Sequence, residues 1–231
     1  MSTTPAIVRA RSIFRVLGVS LASVVAIYSV WILIARLLDP EILRDRTFPH
    51  EIAQTELDGV RSAATMAAHV GVFRGDLWTM RSLVDAAEAF SSTSSLNAIR
   101  AEAGRSAAIR AVSLAPIEPR AWLVLAAIAA RQVPSSAKVF EPLKMSYYTG
   151  PNERSLIAAR FDLAMRSTAF EHPELADAMR REIRAILRAA PELRAVITSV
   201  YRRSNAPGRE FIESAIAGID ATFLDSLRNG R

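Results

Sequence analysis

Hydrophobic and polar positions divide the chain into one long apolar run followed by a series of amphipathic segments. Residues 16–35, VLGVSLASVVAIYSVWILIA, carry no charge and are bracketed by Arg15 and Arg36. At about 1.5 Å rise per residue, a helix of that length crosses roughly 30 Å of hydrocarbon. Tyr28 and Trp31 stand toward the C-terminal end of the run, where aromatic rings favour the membrane–water interface. The pattern predicts a transmembrane helix over 16–36, with Arg15, Tyr28, Trp31 and Arg36 at the interfaces. A cleaved signal peptide has an apolar region of about 7–15 residues ending at a small-x-small site. Here the run is longer and leaves through Ile34, Ala35, Arg36, Leu37, Leu38 and Asp39 without such a site, so a retained signal anchor is expected.

A charged connector over 37–49 ends at Pro49. Beyond it, Pro, Gly and Asp signals punctuate a succession of helical segments. These fall at 50–73, 76–90, 95–114, 119–132, 135–148, 152–168, 173–189, 192–203 and 207–227. In the segment from Pro173, Leu175, Met179, Ile183, Ile186 and Leu187 share one face at helical spacing, and such a face must be buried against neighbouring helices. Phe211, Ile212, Ala215, Ile219, Phe223 and Leu227 form a similar face in the last segment. No segment sustains the period-2 alternation of a strand bounded by turn dipeptides. The expected layout is a tail over 1–15, the span over 16–36, the connector over 37–49 and one all-α domain over 50–231.

Composition changes this picture little. Nine glycines and eleven prolines suit helices joined by short turns. Cysteine is absent, which removes disulfides, thiol catalysis and the common zinc frameworks. The net charge of +6 is carried by arginine, since Lys138 and Lys144 are the only lysines. Charge does bear on orientation. Arg9, Arg11 and Arg15 precede the span with no acid among them, whereas Asp39, Glu41 and Asp45 accompany Arg36, Arg44 and Arg46 after it. The acid-free side is expected in the cytoplasm, which places the domain in the periplasm of a bacterial inner membrane. Inside the span, Gly18, Ala22 and Ala26 recur every four residues. This stripe offers a close-packing face for a weak homodimer, although alanine-rich text supplies such stripes by chance.

Two phrases echo one another. Ala115, Pro116, Ile117, Glu118, Pro119 and Arg120 open a helix carrying Trp122, Leu125 and Ala126; Gly150, Pro151, Asn152, Glu153 and Arg154 open another 35 positions on. The spacing resembles tetratricopeptide repeats, in which Trp122, Leu125 and Pro151 would take the repeat-packing positions. Ala129 departs from that pattern where an aromatic is usual, and Lys138 or Val139 stands in place of an alanine. The resemblance covers about residues 95–170 and implies an α-solenoid of helical hairpins. The phrases at 114–123 and 143–153, with Gly75, Asp76, Leu77 and Trp78, also look like small singly anchored repeat proteins found with bacterial exopolysaccharide or capsule machinery. That resemblance implies a non-enzymatic accessory or scaffolding factor. A general envelope scaffold unrelated to glycans is the alternative, and a small envelope hydrolase a remote one.

Candidate chemistry is sparse. His50, His69 and His172 lie far apart without metal-ligand spacing, and no metal site or cofactor is expected. Ser135 and Lys138 match S-x-x-K formally, but no partner motif accompanies them, and Ser135 after Pro134 reads as a helix cap. Glu102, Glu141 and Glu153 read as capping or solvated residues, and no catalytic pair is nominated. Nucleic acid is not expected as a partner, because aromatic interleaving is absent. The best binding candidates are a basic stripe, Arg180, Arg184 and Arg188 at i, i+4 and i+8, and the adjacent Tyr147 and Tyr148. Stacked like charges cost a few tenths of a kcal/mol per pair, so an anionic polysaccharide, lipid headgroups or an acidic protein would relieve the stripe. A solvated face, with Glu182 as company and Arg181 pairing with Asp177, is the plainer reading. Of the two tyrosines, one must face outward, because neighbours on a helix cannot share a face.

Overall fold

The computed structural model describes residues 5–37, 54–91, 96–134, 137–151 and 153–229, with the side chains of 5–13, 35–37, 54–58, 91 and 96 left aside. His50, Ser135, the connector beyond Leu37 and the Arg36 side chain lie outside the described residues. Eleven α-helices run through the described residues, with no strand among them. The first, α1 (Pro5–Leu37), contains the apolar stretch. Over Phe14–Ile34 it is long and apolar enough to cross a membrane, and none of that stretch is buried by the rest of the molecule. Gly18, Ala22 and Ala26 are exposed on it, and the space around Gly18 is open.

The domain continues through α2 (Gln54–Val70), α3 (Gly75–Ser91), α4 (Leu96–Leu114), α5 (Pro119–Gln132) and α6 (Ala137–Thr149). It closes with α7 (Ile157–Arg166), α8 (Pro173–Ala189), α9 (Arg194–Arg203), α10 (Ala206–Ala217) and α11 (Ala221–Arg228). The main contacts join helices that are adjacent or next-but-one in the chain: α3 packs on α2, α4 and α5, and α5 on α4, α6 and α7. Helix α5 is buried on two sides. Val124 and Ile128 enter a small core with Ala64, Val84 and Ala108, while Leu123, Ala126 and Ala127 enter a larger one with Leu143, Phe161, Leu175 and Ile212. Each large aliphatic side chain removed from water contributes about 1.5–3 kcal/mol.

Local chemistry sets the helix ends. The Glu118 carboxylate accepts from the Arg120 N–H at 3.3 Å ahead of Pro119, the first residue of α5. Asn205 caps α10 through the Gly208 N–H at 2.9 Å. The helix expected over 207–227 breaks after Ala217, because the Asp220 carboxylate accepts from the Phe223 N–H at 2.9 Å and starts a new helix. Both halves still bury their apolar residues in the large core, so the periodicity runs through the break. The segment expected over 152–168 opens as a 3-10 turn, Arg154–Leu156, before α7. It ends at Thr168, whose φ of 56° is left-handed.

Turns 70–75, 115–118 and 150–153 lie side by side along one edge. A Cβ on Gly75 would stand 2.6 Å from that of Ala115, and one on Gly150 would stand 2.6 Å from Pro119 Cγ. Arg120 reaches Glu153 at 3.6 Å across the second and third turns. The two tryptophans at this edge act alike. Trp78 Nε1 donates to the Val72 carbonyl at 3.2 Å, and Trp122 Nε1 donates to the Pro116 carbonyl at 2.7 Å. Each indole thus closes the turn six residues before it. Leu125 is partly buried against the smaller core, and Pro151 is exposed in the third turn.

Candidate functional site

A cleft of about 640 Å³ opens between the end of α6, the start of α7 and the length of α8. Its walls are apolar, from Ile157, Ala178, Ala185, Ile186 and Leu193. Tyr147 and Tyr148 both border it, at different depths. Tyr147 is buried in its floor, and Tyr148, 52% exposed, stands at its mouth. The outward tyrosine expected from the helix geometry is therefore Tyr148.

Beneath the cleft lies a polar knot. Arg160 is fully buried. Its Nε donates to Ser146 Oγ at 3.0 Å and its Nη1 to the Gly150 carbonyl at 2.9 Å. Ser146 Oγ in turn donates to the Pro119 carbonyl at 2.8 Å. The guanidinium also lies over the Tyr147 ring, 5.0 Å from its centroid. Arg160 thus ties α7 to the end of α6, and Ser146 carries the link on to α5. Such satisfaction is required, because a buried charge without partners is strongly unfavourable.

Glu182 is the less satisfied member. It is 7% exposed, and its nearest charge is Arg160 Nη1 at 3.8 Å, beyond hydrogen-bonding distance. Neither carboxylate oxygen has a hydrogen-bond partner, and neither does the Tyr147 hydroxyl. Burial raises the Glu182 carboxyl to about 7, against the opposing pull of Arg160 and then of the nearby Tyr147 hydroxyl, which lies outside strict hydrogen-bond geometry. Burial, and then the Glu182 charge, push the Tyr147 phenol well above its ordinary value. The expectation that Glu182 accompanies a solvated basic face is thus corrected. It follows Ala178 by four residues and precedes Ile186 by four, so it belongs to the buried face of α8.

The basic stripe stands apart from this cleft. Arg180, Arg184 and Arg188 are all exposed on another face of α8. Arg180, not Arg181, pairs with Asp177 at 3.1 Å, and its guanidinium lies 5.2 Å from the centre of the Phe211 ring. Among the described residues, Arg184 and Arg188 form no ion pair. Arg181 instead borders the cleft, while Arg154 at the rim pairs with Glu192 at 2.8 Å.

As a binding surface, the cleft offers an exposed phenol ring, a rim guanidinium and apolar walls above a shielded carboxyl. It displays no nucleophile paired with a base. Among the described residues, no group of three His, Asp or Glu gathers to hold a metal. Sequence reasoning named Tyr147 and Tyr148, placed Arg181 and Glu182 on a solvated face, and missed Arg160. Glu182 keeps register with Ala178 and Ile186, but that register alone does not say which neighbours cover it. No family model, curated protein or solved structure matches the chain.

Proposed function

We propose that the chain is a single-pass membrane protein whose tetratricopeptide-like helical hairpins serve as a scaffold for protein partners. In this reading the N-terminal tail is cytoplasmic, the domain is periplasmic, and the protein is a non-enzymatic accessory factor in exopolysaccharide or capsule production. The observation that carries the anchored-module reading is the junction between α1 and the domain. Trp31 Nε1, near the end of the apolar stretch, donates to the Val70 carbonyl at 2.7 Å. A helix sized to the bilayer is thereby coupled directly to a stack of helices. Next-neighbour packing of α3 on α5 and of α5 on α7 supports the repeat reading, because such units bury their faces against the following unit. The polysaccharide assignment rests on the resemblance of the phrases around Trp122 and Pro151.

Crosslinking in intact membranes, followed by capture of the full chain, tests the proposal. Recovery of glycan polymerase, glycosyltransferase or export components is the expected result. Recovery of division or respiratory proteins instead would make the chain a general envelope scaffold. Hydrolysis of polysaccharide by the purified chain would overturn the non-enzymatic assignment. A reporter fused at the C-terminus that is active only in the periplasm is expected, and activity in the cytoplasm would reverse the orientation.

A further inference from the structure

We infer that the edge of the domain formed by the turns at 70–75 and 115–118 docks on the lipid surface around the anchor, with Phe73 and Ile117 entering the interfacial layer. The inference rests on the reading of α1 as a membrane span. Three observations place lipid at this edge. First, the Trp31 indole bonds the Val70 carbonyl at 2.7 Å, so the end of α2 lies at the depth of Trp31. That depth is three residues inside the end of the apolar stretch at Ile34. Phe73 follows Val70 by three residues, which spans at most about 11 Å of chain. The turn therefore cannot leave the neighbourhood of the interface.

Second, the side chains at the tips are apolar and uncovered. Phe73 is 76% exposed, Ile117 78% and Val72 40%. Phe73 and Ile117 occupy equivalent places, each five residues before a tryptophan whose indole closes the turn behind it. Contact of Gly75 with Ala115 sets the two tips next to one another. A cluster of exposed large apolar residues marks an interaction surface, and tryptophan close behind it suits the headgroup layer.

Third, the charges of this edge are answered locally. Arg74 Nε donates to Asp76 at 3.2 Å, and Arg120 lies 3.6 Å from Glu153. The remaining carboxylate, Glu118, is engaged in capping α5. Little unpaired charge remains to repel or select headgroups, so docking is driven by apolar insertion and proceeds on neutral lipid.

The chain has no cysteine, which makes site-directed spin labelling direct. Four full-chain variants, Val24→Cys in the span, Phe73→Cys, Ile117→Cys and Val133→Cys, would each carry a nitroxide in phosphatidylcholine proteoliposomes. Val133 follows the last residue of α5, roughly 20 Å from Pro119. Collision with oxygen, which partitions into lipid, is compared with collision with a water-soluble nickel chelate. At positions 73 and 117 the oxygen-to-nickel ratio is expected to be several-fold above that at 133 and below that at 24. Water-like ratios at 73 and 117 with a lipid-like ratio at 24 would overturn the docking while leaving the anchor standing. A water-like ratio at 24 would overturn both. Shielding of 73 and 117 from oxygen and nickel alike would mark a protein contact and overturn the lipid assignment.

Discussion

At the scale of single residues, Glu182 and Thr168 carry free energies that their neighbours in sequence do not announce. A carboxyl with a folded pKa of about 7 and an ordinary value of 4.5 binds its proton more tightly in the folded chain. Its contribution is whole below pH 4.5 and is lost as pH rises through 7. Stability of the full chain in detergent is expected to fall by up to roughly 3 kcal/mol as pH rises across that window. Glu182→Gln, which mimics the protonated acid, is expected to remove this fall, as denaturant titrations at a series of pH values would reveal. An unchanged slope in the variant would place the titrating group elsewhere. Thr168 holds a left-handed backbone with a β-branched side chain, which costs about 1–2 kcal/mol relative to glycine's freedom there. Thr168→Gly is therefore expected to stabilise by about 1 kcal/mol, seen as a higher unfolding midpoint at unchanged slope. The αL site was not legible in the text, because Ser167, Thr168 and Ala169 contain none of the usual Gly or Asn signals.

At the scale of elements, most helices follow from periodicity and punctuation. Pro119 and Pro173 begin α5 and α8, where the sequence pattern puts them. The break before α11 comes where the Asp220 side chain competes for a backbone donor, whereas α7 and α9 open late through 3-10 turns without a side-chain cap. Small residues at the turns bear on how closely the helices fit together. Gly150 sits against Pro119, and its missing Cβ is what allows the third turn to approach the second. Gly150→Ala is expected to cost roughly 1–3 kcal/mol, since the contacts are with a rigid proline ring that cannot swing aside. Loss of the same amount at Gly18, where nothing lies near, is not expected, and paired equilibrium unfolding curves would separate the two.

At the scale of the whole molecule, the relation between α1 and the domain is the feature with most consequence for function. One hydrogen bond, from Trp31 to Val70, couples them among the described side chains. Trp31→Phe keeps an aromatic ring beside Val70 and removes the donor, so the domain is expected to fold as before. Spin labels introduced at Ile27 and Ile99 are expected to show a broader distance distribution in that variant. Unaltered width would mean that packing alone fixes the junction. The same coupling turns an edge of ordinary surface loops into a row of tips held beside a bilayer-sized helix.

The apolar stretch of α1, the all-helical class, the order of the helices and the need for one of Tyr147 and Tyr148 to face outward were determined by the sequence itself; which of the two does so was not. Each depends on short-range physics: a run long enough for the bilayer, a 3.6-residue period, and caps that act within four residues. Only the tertiary structure decided that Glu182 is buried, that Arg160 binds α6 to α7, and that the basic stripe faces away from the cleft. The reason is the same in each case. Ser146, Arg160 and Glu182 meet across three helices separated by many residues, and no local pattern encodes which face of one helix its distant neighbours will cover.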